Sequence, residues 1–430
     1  MSKSSELNNS LIPTEDEPLM KLSTAKYLVS FGIIYILFAL DFASRYGMST
    51  LFPMIQKELS LTDPQLGLLG SVVLFCIAVL IYPISYLADK FNKAKFISVM
   101  ALIWSIFSIG SGFASGFLGL FVARFGLGVG EASYMPISLS LITDWTRKSK
   151  WGKAIGVYNS SMPFGIILGS VVAGLMGAKF GWRNTLIILG IPGVIFGLTA
   201  LAIPAKKKAA PAVSKAKELS IKKSLALCFK KKTLLIMSIS FGIYSITSAA
   251  VTVWLPSYCV RILRLTVPQG GMVLAVVGVM GLLAFPLGGV AVDKLIVKGI
   301  STRAWMAAIA YLVGGALAFG GFAFAFLPMV FIGFFISLTA QSAIITASQE
   351  LLPEKYKSTG YGFMGAIFQI GGMFGPTIAG LFSQWFGLQS TMQYIQLFTV
   401  LGALGFFWSV KYYVKDYRQS RDEDAADVVA

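Results

Sequence analysis

Four charged side chains stand inside otherwise apolar runs. Asp41 and Arg45 lie in "LFALDFASRYGMST" (37–50), and Arg124 and Glu131 in "RFGLGVGEASY" (124–134). Between Leu118 and Ile142, Arg124 and Glu131 are the only charges. On helices, Asp41 and Arg45 share a face at i,i+4, and Arg124 and Glu131 share one at i,i+7. At ~1.5 Å per residue, counting inward from one end puts Glu131 near the level of Asp41 and Arg124 near that of Arg45. Two acids and two bases can neutralise each other where a lone charge would cost at least ~2.5–3.5 kcal/mol. One chemistry for such a cluster is a fixed salt-bridge network. The other is a proton switch. An apolar setting favours a neutral carboxyl and a nearby arginine a charged one, so Arg45 moving between Asp41 and Glu131 would decide which acid takes a proton. With no histidine in the chain, carboxylates are the available proton carriers.

The elements that must carry these groups are membrane helices. The chain has 430 residues, 56% of them hydrophobic and only 13% charged, against roughly a quarter charged in soluble proteins. Twelve runs are long enough to span a bilayer: 26–52, 64–87, 96–114, 117–143, 153–177, 184–204, 233–258, 268–292, 302–322, 325–347, 359–383 and 388–413. A single soluble core could not bury them all. The net charge of +17 reflects topology, not nucleic acid. Its lysines and arginines gather in alternate loops, at Lys90, Lys93 and Lys95; Arg147, Lys148, Lys150 and Lys153; Lys294, Lys298 and Arg303; Lys355 and Lys357. The positive-inside rule then places both termini in the cytoplasm. The first residues are polar and read as a cytoplasmic tail.

The expected fold is therefore an all-α, multi-pass protein of the inner or plasma membrane. Its divisions are a tail (1–25), a first six-helix bundle (26–204), a basic linker (205–232), a second bundle (233–413) and a C-terminal tail (414–430). The linker reads as a solvated segment near anionic lipid. Asp89-Lys90 and Asp293-Lys294 recur after the second and eighth spans, which points to two parallel repeats with a site between them. Cys76, Cys228 and Cys259 have no ligand-like spacing, and Cys76 reads as packing. No P-loop, G-x-S-x-G or metal cluster is present, so an enzyme is excluded. No cofactor or metal is expected, and the expected unit is a monomer.

The chain resembles the major facilitator superfamily across nearly its whole length. Asp89, Lys90 and Lys95 match charged positions of its G-x-x-x-D-[RK]-x-G-x-[RK]-[RK] loop. Ser85 and Asn92 stand in for its glycines, and Ala94 for one basic residue. Gly289, Asp293 and Lys294 match the start of the same motif in the second half. The resemblance implies that this loop gates the rocking of the halves. "RFGLGVGEASY" and "VWLPSYCVR" (253–261) resemble motifs of the spinster branch, where an adjacent Asp-Arg pair on the first span is usual. Here Ser44 precedes Arg45. The organic anion:cation symporters share an Arg…Gly-Glu-Ala pattern on the fourth span. These resemblances imply a secondary transporter working by alternating access, with partners that are protons, membrane lipids and a small-molecule or lipid substrate. A lysolipid-like amphiphile comes first. A sugar acid, carboxylate or chelator, or an uncoupled facilitator, are the alternatives.

Candidate proton-coupling residues are Asp41, Glu131 and Arg45. Candidate substrate contacts are Arg45, Arg124, Tyr134, Tyr158, Asn159, Trp254, Tyr258, Gln341 and Gln369. For each of the polar and aromatic residues, helix packing or an interfacial aromatic belt is the plainer role. Gly126/Gly130 and Gly165/Gly169 mark close helix approaches, and Gly371, Gly372, Gly375 and Pro376 a bend in the eleventh span.

Overall fold

A computed structural model describes residues 18–88, 90–132, 134–205, 226–295, 299–353 and 356–429. Every regular element among them is helical. The first set comprises α1 (Thr24–Leu59), α2 (Asp63–Ala88), α3 (Lys93–Ser111), α4 (Phe117–Glu131), α5 (Tyr134–Trp145), α6 (Trp151–Asn159) and α7 (Ser161–Thr199). The second comprises α8 (Lys232–Arg261), α9 (Val267–Leu295), α10 (Thr302–Ala323), α11 (Leu327–Glu350), α12 (Lys357–Phe386), α13 (Leu388–Tyr394) and α14 (Gln396–Val429).

Ten helical segments are long and apolar enough to cross a membrane. The count departs from the twelve expected runs for two local reasons. The run 117–143 is divided between α4 and α5, each too short alone. α4 closes with the Ala132 N–H on the Gly128 carbonyl, and Pro136 has no N–H for the Ala132 carbonyl at the start of α5. The fifth and sixth runs are instead joined in α7, which turns at Gly181 without a loop (φ 77°, ψ 164°). Pro163 interrupts the same region earlier, between α6 and α7, by leaving the Asn159 carbonyl without its partner. Pro376, by contrast, sits inside an unbroken α12. The last helix runs through to Val429, beyond the boundary at 413 expected from hydropathy.

The two sets repeat their joints. Gly387 links α12 to α13 with φ 77°, ψ 156°, nearly the conformation of Gly181, and each follows a phenylalanine. This region of backbone space is essentially reserved for glycine. Close packing repeats too. A Cβ on Gly165 or Gly169 would strike α1 at Ala39 or Ala43, and one on Gly371 or Gly375 would strike α8 at Gly242 or Ile246.

The buried side chains form three clusters. One, with Ile34, Phe38, Leu127, Tyr134 and Tyr158, comes almost wholly from the first set. Another, with Leu234, Tyr244, Tyr311, Ile344 and Tyr413, comes from the second. The third joins both: Phe52, Leu66, Trp182, Trp254, Tyr258, Phe322 and Leu388. The two sets thus share a core at one end only. There α2 meets α12, with Gly67 and Gly70 against Pro376, and α9 meets α7, with Gly271 against Ser170. At the far ends of α2 and α12, Tyr82, Tyr86 and Tyr361 are exposed.

Candidate functional site

The four charges come together in the first set. α1 carries Asp41 and Arg45. α4 carries Arg124 and ends on Glu131. Gly165 and Gly169 draw α7 onto α1, while Gly126 and Gly130 draw α4 onto Phe107, Met100 and Trp104 of α3. Arg45 donates from Nη2 to Glu131 Oε2 and lies 3.6 Å from Asp41 Oδ1. Asp41 and Glu131 thus approach one guanidinium from two helices. No N–H or O–H of the described residues donates to Asp41 Oδ1 or Glu131 Oε1. Asp41, Arg124 and Glu131 are buried, and the Arg45 side chain is 12% exposed. Arg124 forms no ion pair within the described residues, and its Nε has no hydrogen-bond partner. The Arg45 guanidinium also lies 4.8 Å from the Phe42 ring centre.

The break after Glu131 sets the aromatic wall of this site. Tyr134 opens α5 and stacks on Phe38 at 5.9 Å. Tyr158, at the end of α6, stacks on the same ring at 4.9 Å. The Tyr134 hydroxyl points to the Ile34 carbonyl (3.5 Å). Ser44 hydrogen-bonds Ser108 of α3 at 2.8 Å, so the residue before Arg45 is engaged in packing.

The other sequence candidates are scattered. Asn159 is exposed. Gln341 lies beside the Tyr244 hydroxyl in the second set, and Gln369 is half-buried on α12. Trp254 and Tyr258 belong to the shared core and not to a surface belt. The Trp254 Nε1 donates to the Pro376 carbonyl (3.0 Å) and the Tyr258 hydroxyl to that of Phe322 (3.4 Å). In the loop motif, Lys90 lies over the Tyr86 ring, while Lys95, Asp293 and Lys294 are exposed. Asp89 lies outside the described residues, as do 206–225 of the linker.

Sequence reasoning missed a second charged group, at the shared end. Asp63, the first residue of α2, accepts from Arg261, Gln56 and Ser383. Its signal was an acid on the helix N-terminus with an arginine 198 positions away.

Two apolar helical sets meeting at one end, with a cluster of four charges inside one of them, define a polytopic membrane transporter rather than an enzyme or a soluble binding protein. The Major Facilitator Superfamily model matches residues 34–376 and 340–428, and the chain belongs to that family. It is a multi-pass integral membrane protein. It is 25% identical over 409 residues to a hexuronate transporter of Bacillus subtilis strain 168, covering 91% of this chain and 93% of that one. It is 26% identical over 330 residues to a probable sphingolipid transporter, spinster homolog 1, of Arabidopsis thaliana, covering 67% and 65%. Its fold matches the crystal structure of a bacterial homolog of the human lysosomal transporter spinster, inward-facing and unoccupied, with a TM-score of 0.82 at 20% identity over 92% of this chain and 99% of that one.

Proposed function

We propose that this chain is a proton-coupled carrier of a small organic anion of the sugar-acid type, working by alternating access across the inner or plasma membrane. The observation that carries this reading is the unpaired, buried Arg124 beside an Arg45 shared by two carboxyls. Two acids and two bases sum to zero. One proton shared by Asp41 and Glu131 leaves the cluster at +1, and one carboxylate from a substrate restores neutrality. A site that is electrically balanced only with both proton and anion, or with neither, favours their movement together. Asp41 and Glu131 are then the proton carriers and Arg45 the group exchanged between them. Arg45 and Arg124 hold the substrate carboxylate. Tyr134, Tyr158, Asn159, Gln341 and Gln369 are proposed cavity contacts. The likeness to a hexuronate transporter supports the substrate class.

In this reading the membrane is crossed twelve times. α4 and α5 form one crossing, α7 forms two joined at Gly181, and α13 with α14 forms one. The bundles span 26–204 and 233–413, the linker is 205–232, both termini are cytoplasmic, and the end where the sets part faces the cytoplasm.

Uptake of labelled glucuronate into proteoliposomes, acid outside, tests the proposal. The expected result is accumulation above equilibrium that a protonophore abolishes, with Glu131→Gln able only to equilibrate. Equilibration alone by the unaltered protein would make it a facilitator. The likeness to a probable sphingolipid transporter supports a second substrate class, a lysolipid-like amphiphile. Transport of lysophosphatidylcholine but no hexuronate would establish that class instead.

A further inference from the structure

The shared end has two seams that are built alike. α2 begins in "LTDPQ" (61–65) and α9 in "LTVPQ" (265–269). In each, the glutamine turns back so that its Oε1 accepts from the threonine N–H, at 2.9 Å for Thr62 and 2.8 Å for Thr266. Each helix then presses glycines onto the other set: Gly67 and Gly70 onto Pro376 of α12, Gly271 and Gly278 onto Ser170 and Pro163 of α7.

The seams differ at the third position of the repeat. Asp63 accepts two hydrogen bonds from Arg261 of α8 (2.8 and 3.0 Å). It accepts one from Gln56 of α1 (2.6 Å) and one from Ser383 of α12 (2.5 Å). One carboxylate thus ties four helix ends and bridges the two sets. Val267, at the matching place on α9, can accept nothing. There Pro268 rests against Gly174 in an apolar contact. The ion pairs Arg45–Glu131, Lys93–Asp144, Arg183–Glu58, Lys231–Glu423 and Arg303–Glu350 each join residues of the same set.

The geometry points to Asp63 and Arg261 as a one-sided latch on this end of the carrier, with the α7–α9 seam as its pivot. If the sets tilt apart here, the bidentate pair must break, because its partners belong to different sets. The opposite seam consists of glycines against carbonyls and prolines, and it can roll without separating charges. The latch rests on the alternating-access reading but not on the substrate or on the Asp41–Arg45–Glu131 cluster.

The test is a distance between the tips of the two sets, read without substrate. Phe113 and Phe324 are 74% and 80% exposed at that end. Spin labels at Phe113→Cys and Phe324→Cys, in full-length protein with the three buried native cysteines changed to alanine, report the separation by pulsed electron resonance. The parent should show a dominant short distance. Asp63→Asn and Arg261→Gln should each raise a longer-distance population roughly tenfold, the scale of a lost charge-assisted pair. The double variant should add little, and Val267→Asn should change nothing. Unchanged distributions in both single variants, or an equal shift from Val267→Asn, would overturn the latch. A disulfide from Asp63→Cys with Arg261→Cys gives a check that needs no destabilised state. Oxidised before thioether-linked labels are attached at 113 and 324, this variant should lack the longer distance, and its persistence would also overturn the latch. Absence of a second distance in every variant would count against alternating access itself.

Discussion

At the centre of each set of helices, three aromatic rings lie nearly parallel. In the first set, Phe38 takes Tyr134 and Tyr158 at 5.9 and 4.9 Å, with interplanar angles of 9°. In the second, Tyr244 takes Phe241 and Tyr311 at 6.3 and 4.2 Å, with angles of 8° and 15°. The scaffolding is the same, and the neighbours are not. Phe38 stands one turn from Asp41 on α1, and Asp41 neighbours the Arg45 that binds Glu131. Tyr244 is buried, and its hydroxyl has no hydrogen-bond partner among the described residues. The repeated joints at Gly181 and Gly387 maintain the architecture of both sets, whereas the four-charge cluster stands in one of them. In such a division, the first set would hold the proton and the anion, and the second would supply a neutral wall against which they are occluded.

The comparison is most exposed to changes at Arg45. Arg45→Ala leaves two carboxyls buried without their shared base, and removing one partner of a buried pair costs about 3–5 kcal/mol. We expect a large fall in thermal stability and no concentrative uptake, while Tyr311→Phe in the second set leaves uptake intact. Equal damage from the two variants would erase the distinction. Next come the glycine contacts. Gly169→Ala forces a methyl into the α1 backbone at Ala43, and Gly375→Ala does the same to α8 at Ile246. Each should cost about 3 kcal/mol, the upper end of overpacking, because backbone must move. Calorimetry should find the two alike. Only Gly169→Ala should also weaken proton-driven uptake, because α1 carries Asp41 and Arg45. The joints sharpen the symmetric side of the comparison. Gly181→Ala and Gly387→Ala should each cost about 2 kcal/mol of backbone strain, again read as matched losses of melting temperature. The smallest effect is reserved for Ser44→Ala, which removes a buried hydroxyl pair with Ser108 worth about 1 kcal/mol. It should leave proton-driven uptake nearly unchanged, because Asp41 and not residue 44 stands beside Arg45.

The charged cluster was legible in the sequence because a charge in an apolar run is expensive, so its presence alone marks it out. Depth counting along the helices also placed the acids near one another. The helical architecture followed from hydropathy for the same reason. What hydropathy could not supply was continuity: it counts apolar residues, so the division of 117–143 between α4 and α5 went unseen. Nor does it see a glycine in positive φ, which lets Phe180-Gly181-Trp182 join two runs without a polar loop. The Asp63–Arg261 pair escaped for a different reason. Charges at helix ends already have water and helix dipoles to explain them, and nothing local says which arginine, 198 residues on, will answer. For Trp254 and Tyr258, side-chain type alone did not announce that the carbonyls of Pro376 and Phe322 accept their protons.

The last helix carries a practical consequence. α14 continues past the hydrophobic run to Val429, and on the way Asp416 Oδ2 accepts the Thr233 N–H at 2.7 Å while Glu423 meets Lys231 at 3.3 Å. The chain's final turns are thereby clamped to the start of α8. A fluorescent protein fused in helical register after this segment would be held at a set angle to the second bundle instead of tumbling on a tether. Its polarisation would then report the orientation of that half in living cells during turnover.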